Sequence, residues 1–297
     1  MRMHWLLALA PLLAAPVFAG EPAESKLNAK AERTAASMRK AILSEIKDFK
    51  DHEWAGEYFA GDGLGVNPSI VIAPKAGFVF EWHGCMGLYD RNYGSVTWTN
   101  NCIRLNFTFA NNRKGFQGTA QEFIPVRWGK RRYLIPNDDI IGFCNNVNEG
   151  QEPRESIRGF YLLRRGDEQI DVAGFPEVPT NYHAFLLTEP IHAEILSVGK
   201  FSTRPSVCDW KFKDTPVILN VGSNHLVRVG MEFHVTDRLA VESARITKVE
   251  GNQCEAVMTQ IGEEEPGPET GWRLSTLPDW RKKAKKGGTA VPLKNDP

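Results

Sequence analysis

The sequence predicts a mainly β protein: an N-terminal amphipathic helix, an antiparallel meander that curls into a barrel-like domain, and a second small β-barrel domain. Three observations lead there. Apolar residues step about every 3.7 positions through residues 20–50. Short alternating runs bounded by turn residues replace them from Trp54 onward, and a stretch rich in Gly and Pro at 166–183 parts those runs into two groups.

Residues 1–19 read as a secretory signal peptide. Arg2 precedes an apolar run beginning at Trp5, and Val17-Phe18-Ala19 sets small side chains at the two positions a signal peptidase reads, so cleavage is expected after Ala19. The run is broken by Pro11 and Pro16 and falls short of the ~20 residues of a spanning helix. No transmembrane segment is therefore expected in the mature chain, whose expected location is the periplasm or the exterior of the cell.

The helix at 20–50 carries its stripe on Leu27, Ala31, Ala35, Met38, Ile42, Ile46 and Phe49. Its step is that of one α-helical face and not the 3.5 of a coiled coil, so it should pack on the domain that follows.

That domain, 51–165, alternates aromatic and polar positions. Phe78, Phe80 and Trp82 interleave with Val79 and Glu81, and Ile103, Leu105, Phe107 and Phe109 interleave with Arg104 and Asn106. Turns are expected at Asp62-Gly63, at Lys75-Ala76-Gly77, at Asn92-Tyr93-Gly94 and at Asn100-Asn101, giving an antiparallel meander. Strands at 121–127 and 132–135 join through Trp128-Gly129-Lys130. Pro136 and Asn137 open a short helix with Asp138 and Asp139 in its first turn and Gly150 as its stop. After the linker at 166–183, a domain at 184–277 alternates again through 191–198, 217–220, 226–235, 243–249 and 254–260, with Trp272 and Leu274 as a closing strand. Residues 278–297 read as a disordered basic tail.

Charge narrows the partners. The chain holds 36 Lys plus Arg against 36 Asp plus Glu, without the basic excess of a nucleic-acid binder, so no nucleic acid is expected. The balance is uneven along the chain. The tail carries Arg281, Lys282, Lys283, Lys285, Lys286 and Lys294 against Asp279 and Asp296, leaving an acidic body and a basic tether suited to an anionic surface.

Asn220-Val221-Gly222-Ser223, followed by 227–235, 244–249 and Cys254-Glu255-Ala256-Val257, resembles the C-terminal β-barrel of the flagellar assembly protein T family, over residues 215–260. That resemblance implies an envelope setting and a non-catalytic binding or assembly role for this domain. Residues 54–110, opening on Trp54-Ala55-Gly56-Glu57-Tyr58, resemble the start of lipocalin-like barrels, without the Gly-x-Trp those barrels favour. The chain as a whole is similar to secreted proteins of bacteria, which implies no activity.

Five cysteines enter a compartment that permits disulfides, and the economical pairings are Cys85 with Cys102 and Cys208 with Cys254, leaving Cys144 on an apolar helix face. The alternative is that all five are small buried apolar residues. His83-Gly84-Cys85 offers two ligands, but neither Cys-x-x-Cys nor His-Glu-x-x-His occurs, so no metal site and no cofactor are expected. Gly61-Asp62-Gly63-Leu64-Gly65 leads into a strand and not a helix, and so makes a hairpin loop and not a phosphate cradle.

The densest set of recognition groups is Trp82, Tyr89, Tyr93, Trp98, Arg127, Trp128 and Arg132, with Lys130 and Arg131 among them. Aromatic faces beside guanidinium groups suit a glycan or an anionic envelope polymer, while the same aromatics could instead fill a barrel. The expected function is a non-catalytic secreted or periplasmic envelope protein that binds a ligand or a protein partner. The alternatives are a secreted hydrolase using carboxylates such as Asp62, Glu81 or Asp90, and an envelope assembly protein.

Overall fold

The computed structural model describes residues 22–48, 52–61, 67–85, 87–99, 101–110, 118–150, 161–205, 211–236, 243–261 and 266–277. The signal segment 1–19, the tail 278–297, residues 62–65 of the glycine-rich loop, Asn100 and Cys208 lie outside the described residues.

Alternation builds the first barrel. Strands β1 (Gly56–Phe59), β2 (Asn67–Ala73), β3 (Gly77–Gly84), β4 (Gly87–Trp98), β5 (Ile103–Ala110), β6 (Glu122–Trp128), β7 (Arg131–Pro136) and β8 (Leu162–Arg164) each pair antiparallel with the next. The ring closes where β8 returns to β1, with Tyr58 opposite Arg164 and Phe59 opposite Leu163. Inward-facing Tyr58, Ile70, Ile72, Phe78, Phe80, Ile103, Leu105, Phe123, Leu134 and Leu162 fill the interior, as eight strands leave room for little else.

The outside of this barrel is apolar too. Ile70 to Ala73 are buried in an unbroken run because the strand is covered on both faces. Helix α1 (Pro22–Asp48) supplies one cover, setting Ala31, Ala35 and Ile42 against Val71, Ala73, Val79 and Tyr93. Polar bonds set its register: Glu45 accepts from the backbone N–H groups of Lys75 and Ala76 at 3.0 and 2.6 Å, and Arg39 donates to Glu57 at 2.9 Å. Helix α2 (Ile140–Asn148) supplies the second, with Phe143, Cys144 and Val147 packed on Val126, Tyr133, Ile135 and Leu163. Gly150, at φ 69°, ends its turn in the left-handed conformation that favours glycine.

One expected turn is corrected. Asn92-Tyr93-Gly94 is no turn but the middle of the 12-residue β4, whose register shifts between Tyr93 and Gly94. Here glycine serves closeness: a Cβ on Gly94 would stand 2.0 Å from the Asn106 carbonyl oxygen. The segment 166–183 runs between the two barrels and packs along the first. Val178 is buried with α2, Glu177 donates its N–H to the Arg127 carbonyl at 2.6 Å, and Gly174 accepts from the Trp128 indole at 2.9 Å.

The second barrel closes through β9 (His192–Val198), β11 (Lys211–Leu219), β14 (Cys254–Ile261), β13 (Ser243–Val249), β12 (Glu232–Val235) and β15 (Arg273–Ser275), with β10 (Ser202–Pro205) added on β11. Strand β15 is the expected closing strand, pairing Leu274 with Val235 on one side and Ala193 on the other. The strand expected over 226–235 is shorter because Leu226 (φ 66°) and Gly230 (φ 91°) turn the chain left-handed before Glu232. Ile195, Leu219, Met231, Phe233, Ile246, Met258, Trp272 and Leu274 form the core. No helix among the described residues is long and apolar enough to cross a membrane.

Gly94→Ala forces β4 and β5 apart and should cost about 1–3 kcal/mol. Ile42→Ala, which empties the α1 contact, should cost about 2–4 kcal/mol. Urea unfolding curves check both, and wild-type midpoints would contradict the packing described.

Candidate functional site

The β6–β7 hairpin turns at Gly129-Lys130, where φ 58° at Gly129 is the left-handed geometry a two-residue turn demands. This turn sets Arg127 directly opposite Arg132. Two like charges at that spacing repel, and a cross-strand pair of this kind costs stability. The surroundings offset part of it. Arg127 pairs with Glu53, Arg132 donates to the Glu53 carbonyl at 3.4 Å, and Arg164 reaches the same carbonyl at 3.3 Å. Asp167 accepts the Arg132 N–H at 3.0 Å, and burial pushes its carboxyl up despite the neighbouring guanidinium. The outcome is an open cleft of about 520 Å³ lined by Glu53, Arg127, Gly129, Lys130, Arg132 and Ile170. Arg127 is held there by Glu53 and Arg132 lies 3.9 Å from Asp167, while Lys130 stands exposed at the tip.

The structure divides the expected recognition set. Trp98, edge-on to His52 at 4.9 Å, belongs to the same rim as the cleft. Trp82 and Tyr89 meet edge-to-face at 5.6 Å on the opposite rim. Trp82 stands across from Asp90, and the eight residue steps of β4 from Asp90 to Trp98 span about 26 Å. Tyr93 is buried beneath α1 and stacked on Phe109 at 5.1 Å. Trp128 is buried beneath α2 against Phe143. Arg127 and Arg132 thus share a site, whereas Tyr93 and Trp128 are core.

Asp90, a candidate hydrolase carboxylate, is buried and saturated. It accepts from Asn92 Nδ2 at 2.6 Å, Gly118 N at 2.8 Å and Arg91 N at 2.9 Å. Glu81 pairs with Arg91 at 3.0 Å, and Asp62 lies outside the described residues.

A second polar concentration, which the sequence reading missed, joins α2 to the second barrel. Asn145 donates to the Gly230 carbonyl at 3.0 Å and accepts from Glu232 N at 3.4 Å, while Asn148 bridges the Phe185 carbonyl and Leu187 N at 2.8 and 2.9 Å. Asn146 donates to the Tyr161 hydroxyl at 3.2 Å, and Tyr161 bonds Asp139, whose carboxyl burial pushes up. Glu149, just past α2, lies 2.8 Å from His234 Nε2. The available signal was Asn145-Asn146-Val147-Asn148-Glu149, too polar for a helix serving one apolar core. Glu149, Glu232 and His234 bring their ligand atoms within 4.8 Å of one another, the grouping among the described residues with the donor types a metal uses. It does not involve His83, His183 or His192.

The cysteines are not paired as expected. Cys102 and Cys254 are unbridged thiols. Cys85 and Cys102 flank opposite ends of β4, on the order of 35 Å apart, whereas a bridge needs Cα atoms within about 7 Å. Cys254 lies in the second core opposite Leu219. Burial pushes the thiols up, to about 12 for Cys144 and about 11 for Cys254. In comparisons with protein-family models, curated proteins and solved structures, nothing matches this chain.

Iodoacetamide at about pH 8 reacts with thiolate. It should label exposed Cys85 and spare Cys144 and Cys254 in the folded protein, as read by peptide mass mapping. Labelling of Cys144 without denaturant would contradict its burial.

Proposed function

We propose that this chain is a non-catalytic, exported protein of the cell envelope that binds an anionic polymer through the cleft of Arg127, Lys130 and Arg132. The observation that carries the reading is the cross-strand pair of Arg127 and Arg132, a like-charge contact that packing does not require. An anionic group placed between two guanidinium forks relieves the repulsion and takes bidentate hydrogen bonds from both. The cleft is open and not enclosed, which suits a chain running across it more than a small molecule held within it. Export is supported by Arg2, the apolar run from Trp5 and the small residues at Val17 and Ala19.

Among the described residues, Tyr58, Phe78, Phe80 and Phe123 fill the interior of the first barrel. The groups lining the cleft are donors and cations, with Glu53 engaged by Arg127. They recognise negative charge.

The test is retention of the mature protein on polygalacturonate and heparin columns, with neutral dextran as control. The wild type should be retained at low salt, released as salt rises, and pass through dextran. Lys130→Glu, at an exposed turn, and the double variant Arg127→Gln/Arg132→Gln should each elute earlier, with at least about a tenfold loss of affinity for the double variant. Unchanged elution of both variants would overturn the assignment.

A further inference from the structure

The seam between the barrels holds a donor set that neither barrel possesses alone. Glu149 follows the last turn of α2 on the first barrel, while Glu232 and His234 come from β12 of the second. Because a strand alternates with a period of two, Glu232 and His234 project from the same face, towards α2. His234 Nε2 and Glu149 Oε1 are 2.8 Å apart, and these side chains are 12% and 8% exposed. The ligand atoms of all three residues lie within 4.8 Å of one another.

These separations approach those of a coordination shell. Oxygen and imidazole nitrogen bind zinc-like ions at about 2.0–2.2 Å, which places neighbouring ligand atoms roughly 3.0–3.5 Å from each other. Small side-chain rotations bring all three atoms to that spacing. Their positions are already held: Asn145 clamps the strand on both sides of Met231 through Gly230 O and Glu232 N. A site whose ligands are placed by backbone contacts loses little freedom on binding.

Charge favours the same reading. Glu149, Glu232 and the adjoining Asp139 bring three acidic side chains to the seam, with Arg245 set opposite Glu232 in the sheet. A dication neutralises two carboxylates and takes the imidazole as a ligand. The imidazole selects against calcium and magnesium, which take oxygen donors, and for zinc, while the two carboxylates also admit manganese.

We propose that Glu149, Glu232 and His234 form a divalent transition-metal site that pins the two barrels together across α2. Three protein ligands leave coordination positions for water. Since each barrel supplies part of the shell, the ion binds the docked arrangement and not separated barrels, and so stabilises it by mass action.

The experiment uses tag-free mature protein, stripped with EDTA and dialysed. Zn2+ and Mn2+ are titrated by calorimetry, thermal unfolding is followed with and without each ion, and Co2+ reports ligand type by absorption. The expected result is one ion per chain, a raised Tm, and Co2+ d–d bands without the thiolate charge-transfer band that binding at cysteine would give. His234→Ala should abolish binding. Glu232→Gln leaves the bond between Glu149 and His234 intact and so keeps the seam, yet should weaken binding at least about tenfold. Should His234→Ala fail to fold, Glu232→Gln decides alone. Absence of binding by the wild type, affinity unchanged in Glu232→Gln, or a thiolate band would each overturn the site.

Discussion

The apolar outer wall of the first barrel is the constraint on which the other elements depend. A small antiparallel barrel usually keeps one face wet, and its strands then alternate apolar and polar residues. Here Val71, Ala73, Val79 and Tyr93 on one side, and Val126, Tyr133, Ile135 and Leu163 on another, would each expose an apolar patch if left bare. Two helices answer this, one preceding β1 and one inserted between β7 and β8. The N-terminal helix is anchored by Glu45 on the β2–β3 hairpin and Arg39 on β1, so its position is set by hydrogen bonds as well as by burial. The short helix after β7 performs the same service and gives its remaining face to the second barrel.

That second helix therefore has two audiences. Phe143, Cys144 and Val147 satisfy the first barrel, and Asn145, Asn148 and Glu149 address the second. Nearly every contact in the second group is a hydrogen bond to a backbone group or a charged partner. Such contacts tolerate little displacement, because a buried donor or acceptor left unmade costs about 1–3 kcal/mol. The barrels are consequently held by directional bonds at a modest seam, and small changes in its charge weigh heavily on their docking.

Much of this architecture is legible in the residues. The helical stripe through Ala31, Ala35 and Ile42, the alternation of Phe78 and Phe80, the short helix after Pro136 and the closing strand at Leu274 all follow from local periodicity, and the structure has them. What periodicity does not carry is the identity of the partner. Asn92-Tyr93-Gly94 has turn composition, yet Asn92 is there to bond Asp90 and Gly94 to let β5 approach, both consequences of distant chain. Tyr93 and Trp128 look like recognition aromatics until the helices that bury them are in place. Arg127 and Arg132 were visible as a basic cluster, but their direct opposition depends on the register of one hairpin. The seam was illegible for a related reason: Glu149 and His234 are far apart in the chain, and each alone resembles an ordinary surface residue.

The closure of the first barrel bears on how the molecule is made. Its last pairing joins Tyr58 to Arg164, 106 positions later, and rests on a three-residue strand. Hairpins between neighbouring strands form early, since their loops are short, but this final contact must wait for nearly the whole domain. Until then β1 presents an open edge, and edges of that kind recruit other chains. The interval before Leu163 meets Phe59 is therefore the period in which the chain is most open to aggregation, while the long helix resting on β2 and β3 covers the part of the sheet already formed.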